Sequence, residues 1–199
     1  MIPISILLVV GLYGLVHSWM ASLGVKAAVR QRLGPTADRY YRLAFNIFGF
    51  ISLIPVLALP VLLPDRRLYS IPFPWDLPLL ALQAAALIGL AVGVKETGAW
   101  SFLGLEQLFE EQPSKSTLVT SGLYRWVRHP LYSAGMVFIW ASPVMTRDML
   151  SLFLGLTAYL IVGALFEERK LLREYGSVYA TYRDQTPMFI PGLKGTSRQ

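Results

Sequence analysis

The chain has 199 residues, 54% of them hydrophobic and 15% charged, with a formal net charge of +6 and a mean hydropathy of +0.50. This is far more apolar than a soluble domain, and it reads as an integral membrane protein. Zero cysteines exclude a disulfide framework, a thiolate metal site and a cysteine nucleophile, and two histidines, His17 and His129, form no ligand pair of the His-Glu-x-x-His kind, so no metal is expected.

Five membrane spans are expected, running from Ile2 to Leu23, Leu43 to Leu63, Leu77 to Val94, Leu131 to Met145 and Met149 to Phe166. A bilayer core asks for roughly 20 apolar residues per helix, so the last two are short. The first span starts without a basic flank or a small-residue cleavage site, so a removed signal peptide is not expected. Pro55, Pro60 and Pro64 mark a second span that kinks and then ends, followed by a loop whose Tyr69, Phe73 and Trp75 suit the membrane interface. The third span carries Ala85, Gly89 and Gly93 at four-residue spacing, a stripe that lets membrane helices approach closely. No internal repeat is found, which argues against a transporter.

Placing the loops on alternate sides collects fifteen of the 18 Lys and Arg residues on one side and leaves only Arg66, Arg67 and Arg147 on the other. The bias puts the N-terminus outside and the C-terminus in the cytoplasm, as in a bacterial-type inner membrane. The positive charge therefore follows topology, and no nucleic-acid partner is expected. The fold class is all-α: a polytopic bundle of about five transmembrane helices with a cytoplasmic C-terminal helical cap. The chain reads as a single membrane domain, with scaffold helices in 1–94 and a ligand-binding part in 95–199 that contains a hairpin at 131–166 and a cytoplasmic tail at 167–199. In that tail Leu171, Tyr175, Tyr179 and Tyr182 recur at helical spacing. Such a helix suits either an anionic lipid surface or a lid over the cytoplasmic segment. Gly176 breaks or bends it, and Pro187 and Pro191 end regular structure.

The densest polarity stands where the fourth span begins, in Gly122-Leu123-Tyr124-Arg125-Trp126-Val127-Arg128-His129-Pro130-Leu131-Tyr132, answered one hairpin later by Glu167-Glu168. Ionisable groups at a membrane edge are costly, which makes the cluster the place to look for chemistry. Pro130 suits the first helical turn, and the N–H groups around that start, beside Arg128 and His129, are expected to bind a carboxylate. Glu167 and Glu168 can accept ribose hydroxyls or hold an ammonium group. A ligand carrying a carboxylate, an amine, a ribose and a flat base matches this set. Each charge taken singly also fits a solvated interfacial anchor.

At these residues the chain resembles the membrane methyltransferases that include isoprenylcysteine carboxyl methyltransferase, phospholipid N-methyltransferase and methanethiol S-methyltransferase. The resemblance rests on Leu118-Val119-Thr120-Ser121-Gly122-Leu123-Tyr124, Arg128-His129-Pro130-Leu131-Tyr132, Glu167-Glu168 and Gly176-Ser177-Val178-Tyr179-Ala180-Thr181-Tyr182, in that order. It implies S-adenosyl-L-methionine as methyl donor, bound under the tail by Thr117, Leu118, Val119, Tyr124, His129, Pro130, Leu131, Tyr132 and Glu167, with Glu168 in support. The acceptor would enter from the bilayer. His129 and Arg128 are the candidate catalytic residues, His129 as the base a thiol or amine would need; His17 and Asn46 are candidates for lining the acceptor path.

The resemblance does not name the acceptor. The prenylcysteine members carry an arginine four residues before the first Glu, where this chain has Gly163. Gly104-Leu105-Glu106-Gln107, Trp140 to Thr146, Phe166 to Arg169 and His17 to Ala21 look closer to the methanethiol enzymes, with Glu106 and Lys170 departing from them. The expected function is methyl transfer to a lipophilic or small acceptor, with thiol and carboxylate ahead of a phospholipid amine. The competing expectation is a non-enzymatic membrane subunit that kept the fold.

Overall fold

The computed structural model describes residues 2–34, 36–63, 65–99, 103, 105, 106 and 117–193. Gly104 and Gln107, and the cations Lys115, Lys194 and Arg198 of the charge count, lie outside them. The structure is a helical membrane bundle. In chain order it has α1 (Ile2–Ala21), α2 (Leu23–Leu33), α3 (Thr36–Leu62), β1 (Arg67–Ser70), α4 (Leu77–Glu96), a 3-10 turn (Gly122–Arg125), α5 (Pro130–Trp140), β2 (Val144–Thr146), α6 (Arg147–Tyr175) and α7 (Ser177–Gln185). Among the described residues, α1, α3, α4 and α6 are long and apolar enough to cross a membrane.

Two compact units interleave along the chain. The first contains α1, α2, α3 and the beginning of α6 up to Tyr159. Leu8, Leu12 and Leu15 of α1 are exposed, as expected of side chains whose solvent is lipid. Two glycines admit α6: a Cβ on Gly14 would stand 2.9 Å from the Tyr159 ring, and one on Gly155 would stand 3.1 Å from Val10. The sequence reading missed α2 and treated its cations as loop. Ser22 caps this helix in an extended conformation, its Oγ accepting from the Val25 N–H at 3.4 Å, and Gly34 closes it with φ of +77°. Pro55 and Pro60 both lie inside α3, which runs on to Leu62.

Two short strands appear in a chain expected to be all-α: β1 and β2 pair as a two-stranded sheet. Alongside it, the Arg147 N–H donates to the Arg66 carbonyl at 3.0 Å. Asp65, two residues before β1, accepts from the Asp148 N–H at 2.9 Å, while the Thr146 hydroxyl of β2 accepts from the Met149 N–H at 3.2 Å, so both cap the first turn of α6.

The second unit holds α4, the 3-10 turn, α5, the end of α6 from Leu160, and α7. The small-residue stripe of α4 does what the sequence suggested. A Cβ on Gly93 would fall 2.7 Å from a Leu131 methyl and one on Gly89 3.7 Å from Ala134, so α4 packs along α5. Gln83 donates to the Phe138 carbonyl at 3.0 Å, satisfying one of the carbonyls left open in the last turn of α5.

The fourth expected span, 131–145, is corrected: α5 has only 11 residues, about 16 Å of helix. Ser142 precedes Pro143, which disfavours helical backbone at Ser142 and removes an N–H, and the Ser142 hydroxyl donates to the Val144 carbonyl at 2.6 Å. The last span is longer than expected. α6 has 29 residues and continues past Glu167 and Glu168. Gly176, with φ of +55°, separates it from α7, the break anticipated at that glycine.

Candidate active site

The polar cluster assembles entirely within the second unit, beginning at the 3-10 turn. Gly122 adopts φ of +60°, and the Glu96 carboxylate occupies the space a side chain would need. That carboxylate accepts from the Leu123 N–H at 3.2 and 3.0 Å through its two oxygens, latching the end of α4 to the turn. The Tyr124 carbonyl accepts from the Tyr182 hydroxyl of α7 at 2.6 Å. Burial first, then the Glu167 and Glu96 charges, pushes the Tyr124 phenol well above its ordinary range.

Arg128 is the hub. Its Nε and a terminal nitrogen reach Glu168 Oε1 at 2.6 and 2.5 Å, and its other terminal nitrogen donates to the Arg183 carbonyl at 3.0 Å and to the Thr186 carbonyl. Every nitrogen of the guanidinium is thereby used within the protein, the planar fork tying α6 to the end of α7. The tail is also held by its backbone. The N–H groups of Arg128 and His129 donate to the carbonyls of Pro187 and Met188 at 2.9 and 3.1 Å, and the Ser133 hydroxyl donates to the Phe189 carbonyl at 2.8 Å. Of the backbone donors around the start of α5, the Arg128 and His129 N–H groups are thus taken up by residues 187 and 188.

His129 is 6% exposed and sits between the two carboxylates. Its Nε2 lies 3.3 Å from Glu168 Oε1 and its Nδ1 lies 3.7 Å from Glu167 Oε2. In the neutral tautomer that donates from Nε2 to Glu168, Nδ1 would carry the lone pair on the Glu167 side. The imidazole stacks on Tyr132 with ring centroids 5.4 Å apart and planes within 2°, and the Tyr132 hydroxyl donates to Glu167 at 2.9 Å. The two glutamates therefore differ: the Glu168 side chain is 13% exposed and bound to Arg128, whereas that of Glu167 is 45% exposed and presents a carboxylate outward. Beside them the Tyr179 hydroxyl is buried with no hydrogen-bond partner among the described residues. Burial, and then the charge of Glu168, pushes its phenol well above the ordinary range.

Of the residues singled out in the sequence, Arg128, His129, Tyr132, Glu167 and Glu168 come together, with Pro130 and Leu131 as the first turn of α5 and Tyr124 on the adjoining 3-10 turn. Thr117, Leu118 and Val119 lie in the irregular chain leading to that turn. His17 and Asn46 belong to the first unit. There His17 Nδ1 meets the Tyr159 hydroxyl at 2.8 Å and its ring lies 4.5 Å from that of Phe45. Glu96, Ser133 and the carbonyls of 186–189 were missed, because nothing local in the sequence marks partners so far away. Gly163, where prenylcysteine enzymes carry arginine, has open space at its Cβ position.

The phospholipid methyltransferase family model matches residues 80–178, from α4 into α7. Methanethiol S-methyltransferase 2 of Bradyrhizobium diazoefficiens is 39% identical over 98 residues, 47% of this chain and 38% of that protein. Over this region the chain is similar to the membrane methyltransferases. Methanethiol S-methyltransferase of Mycobacterium tuberculosis is 29% identical over 193 residues, which cover 93% of this chain and 76% of that protein. A second branch of the superfamily is represented by human protein-S-isoprenylcysteine O-methyltransferase, 34% identical over 91 residues, 43% of this chain and 31% of that protein. No solved structure matches. The region matched by the superfamily model holds Glu96, the 3-10 turn, Arg128 to Tyr132 and both glutamates, while the carbonyls of 186–189 lie beyond it.

Proposed function

We propose that the chain transfers a methyl group from S-adenosyl-L-methionine to a small thiol or another lipophilic acceptor that arrives from the bilayer, with the donor held in the second unit. The observation that carries this reading is the pairing of a half-exposed Glu167 carboxylate, held by the Tyr132 hydroxyl, with the buried His129 ring that stacks on Tyr132 and is covered by residues 187–189. The donor fits what is present. Glu167 can accept from two ribose hydroxyls or an ammonium group, and the orphaned Tyr179 hydroxyl is a buried donor in want of an acceptor. When bound, that cofactor supplies a sulfonium-activated methyl group.

The protein's own tasks are alignment and exclusion of water. Glu168, Arg128 and the tail carbonyls fix His129 in place, and Arg128 is a positioning residue, since its donors are spent on the protein. A thiol acceptor must lose its proton, and the His129 Nδ1 lone pair can receive it. The relatives named methanethiol S-methyltransferase favour a thiol, and the open Gly163 offers no cation to a prenylcysteine carboxylate. The charge distribution supports a cytoplasmic C-terminus and donor site. His17 and Asn46 are proposed to contact the acceptor.

Calorimetric titration of the purified full chain with S-adenosylhomocysteine tests the reading. Wild type should bind, and Glu167→Ala combined with His129→Ala should abolish binding. Tyr179→Phe, which removes one hydrogen bond, should weaken binding roughly two- to tenfold without lowering thermal stability. A folded wild type that ignores the ligand refutes the proposal. Labelled methyl transfer to methanethiol, a farnesylcysteine analogue and phosphatidylethanolamine then identifies the acceptor.

A further inference from the structure

We infer that the corner formed by α2 and the start of α3 is a binding site for one anionic phospholipid, built from none of the residues assigned to methyl transfer. A groove of about 310 Å³ lies there, walled by Val29 and Leu33 of α2 and by Ala37, Tyr40, Tyr41 and Ala44 of α3. Its walls are apolar and it opens outward, as an acyl chain requires.

α2 is too short and too polar to cross a bilayer, and none of its residues is buried against the protein. Along it, Val25, Val29 and Leu33 recur every four residues and form one stripe. Lys26 and Arg30 form the neighbouring stripe on one flank, and Arg32 falls on the other flank, so the apolar wall is bordered by cations on both sides. The segment 23–44 carries five cations, Lys26, Arg30, Arg32, Arg39 and Arg42, against a single acid, Asp38. The start of the apolar span at Arg39 places the groove where headgroup gives way to hydrocarbon. At that level a phosphate meets the basic flanks and its acyl chain lies between the helices.

The groove is braced. The Tyr41 hydroxyl donates to the Met20 carbonyl at 2.5 Å, tying its wall to the end of α1, and Lys26 Nζ stands 6.0 Å from the Tyr41 ring. The charge complementarity selects an anionic lipid over a zwitterionic one, and the apolar walls select a lipid over a free phosphate.

Native mass spectrometry of the full chain in detergent, titrated with dioctanoyl phosphatidylglycerol, dioctanoyl phosphatidylcholine or inorganic phosphate, tests this site. Wild type should take up one phosphatidylglycerol at concentrations where the choline lipid and phosphate bind roughly tenfold less. Arg30→Gln with Arg32→Gln should bring the two lipids to similar occupancy. Ala37→Phe, which fills the groove, should reduce uptake of both, its fold being checked by thermal melting against wild type; if that variant fails to fold, Ala44→Leu is read instead. Equal uptake of both lipids by wild type, phosphate binding as tight as lipid, or a second copy of the chain displaced by Ala37→Phe would each overturn the proposal.

Discussion

Replacing Gly122 with alanine imposes two distinct penalties at one atom. The first is conformational: φ of +60° costs a residue with a Cβ about 1–2 kcal/mol. The second is steric, because the new methyl would lie inside the Glu96 carboxylate, 2.8 Å from Oε2 and closer still to Oε1. The carboxylate must leave, and the Leu123 N–H it accepts from at 3.0 and 3.2 Å loses its partner, a further loss of about 1–3 kcal/mol for a half-buried amide. Gly122→Ala should therefore destabilise by about 2–5 kcal/mol. Glu96→Ala alone removes only the latch and should cost about 1–3 kcal/mol. In the double variant the methyl meets no carboxylate and the latch is already absent, so its cost should match that of Gly122→Ala alone. The coupling is then as large as the Glu96→Ala effect and opposite in sign. Denaturant unfolding of the four proteins in one detergent, followed by tryptophan fluorescence, completes the cycle. Simple additivity of the two changes would refute the account of Gly122 as a glycine required by Glu96.

Two more outcomes follow from the same cluster. Arg128→Ala strips Glu168 of its guanidinium, leaving it only His129, and releases the carbonyls of Arg183 and Thr186, so it should cost about 3–5 kcal/mol and raise amide exchange across 177–193 while α4 and α5 stay protected; a uniform rise would contradict its role as the tie of the tail. The Tyr182 phenol is pushed up to about 12, by burial first, with Arg128 opposing and Glu168 adding to the effect. A phenol raised above its unfolded value of 10.0 contributes stability below pH 10 that is lost as pH climbs towards 12. Alkaline melting should therefore steepen across that window, and Tyr182→Phe should lessen the steepening. Absorbance at 295 nm follows the ionisation directly.

What the sequence disclosed and what it hid divide along a physical line. The small-residue stripe from Ala85 to Gly93, the proline at the start of α5 and the break at Gly176 each act over one or two helical turns, and each stands where local reasoning placed it. The ends of helices were harder even when signalled. Ser22 before α2 and Ser142-Pro143 after α5 are local marks, but hydropathy dominates a membrane sequence and drew the boundaries elsewhere. The partners of polar groups were hidden. Glu96 finds an amide 27 residues away, and Arg128 finds carbonyls 55 and 58 residues away. Only tertiary packing decides such choices, so the sequence alone could not show that the Arg128 guanidinium reaches both Glu168 and the tail.

The way that tail is fastened bears on how it can vary. Four consecutive carbonyls, from Thr186 to Phe189, face donors on Arg128, His129 and Ser133. A fastening made of peptide oxygens is blind to side-chain identity, and it accommodates Pro187 without loss because proline lacks only the donor that this seam does not use. The side chains of Met188 and Ile190 can therefore vary while the clasp itself stays shut, whereas the Phe189 ring lies 5.8 Å from that of His129 and is tied to the site by its side chain as well.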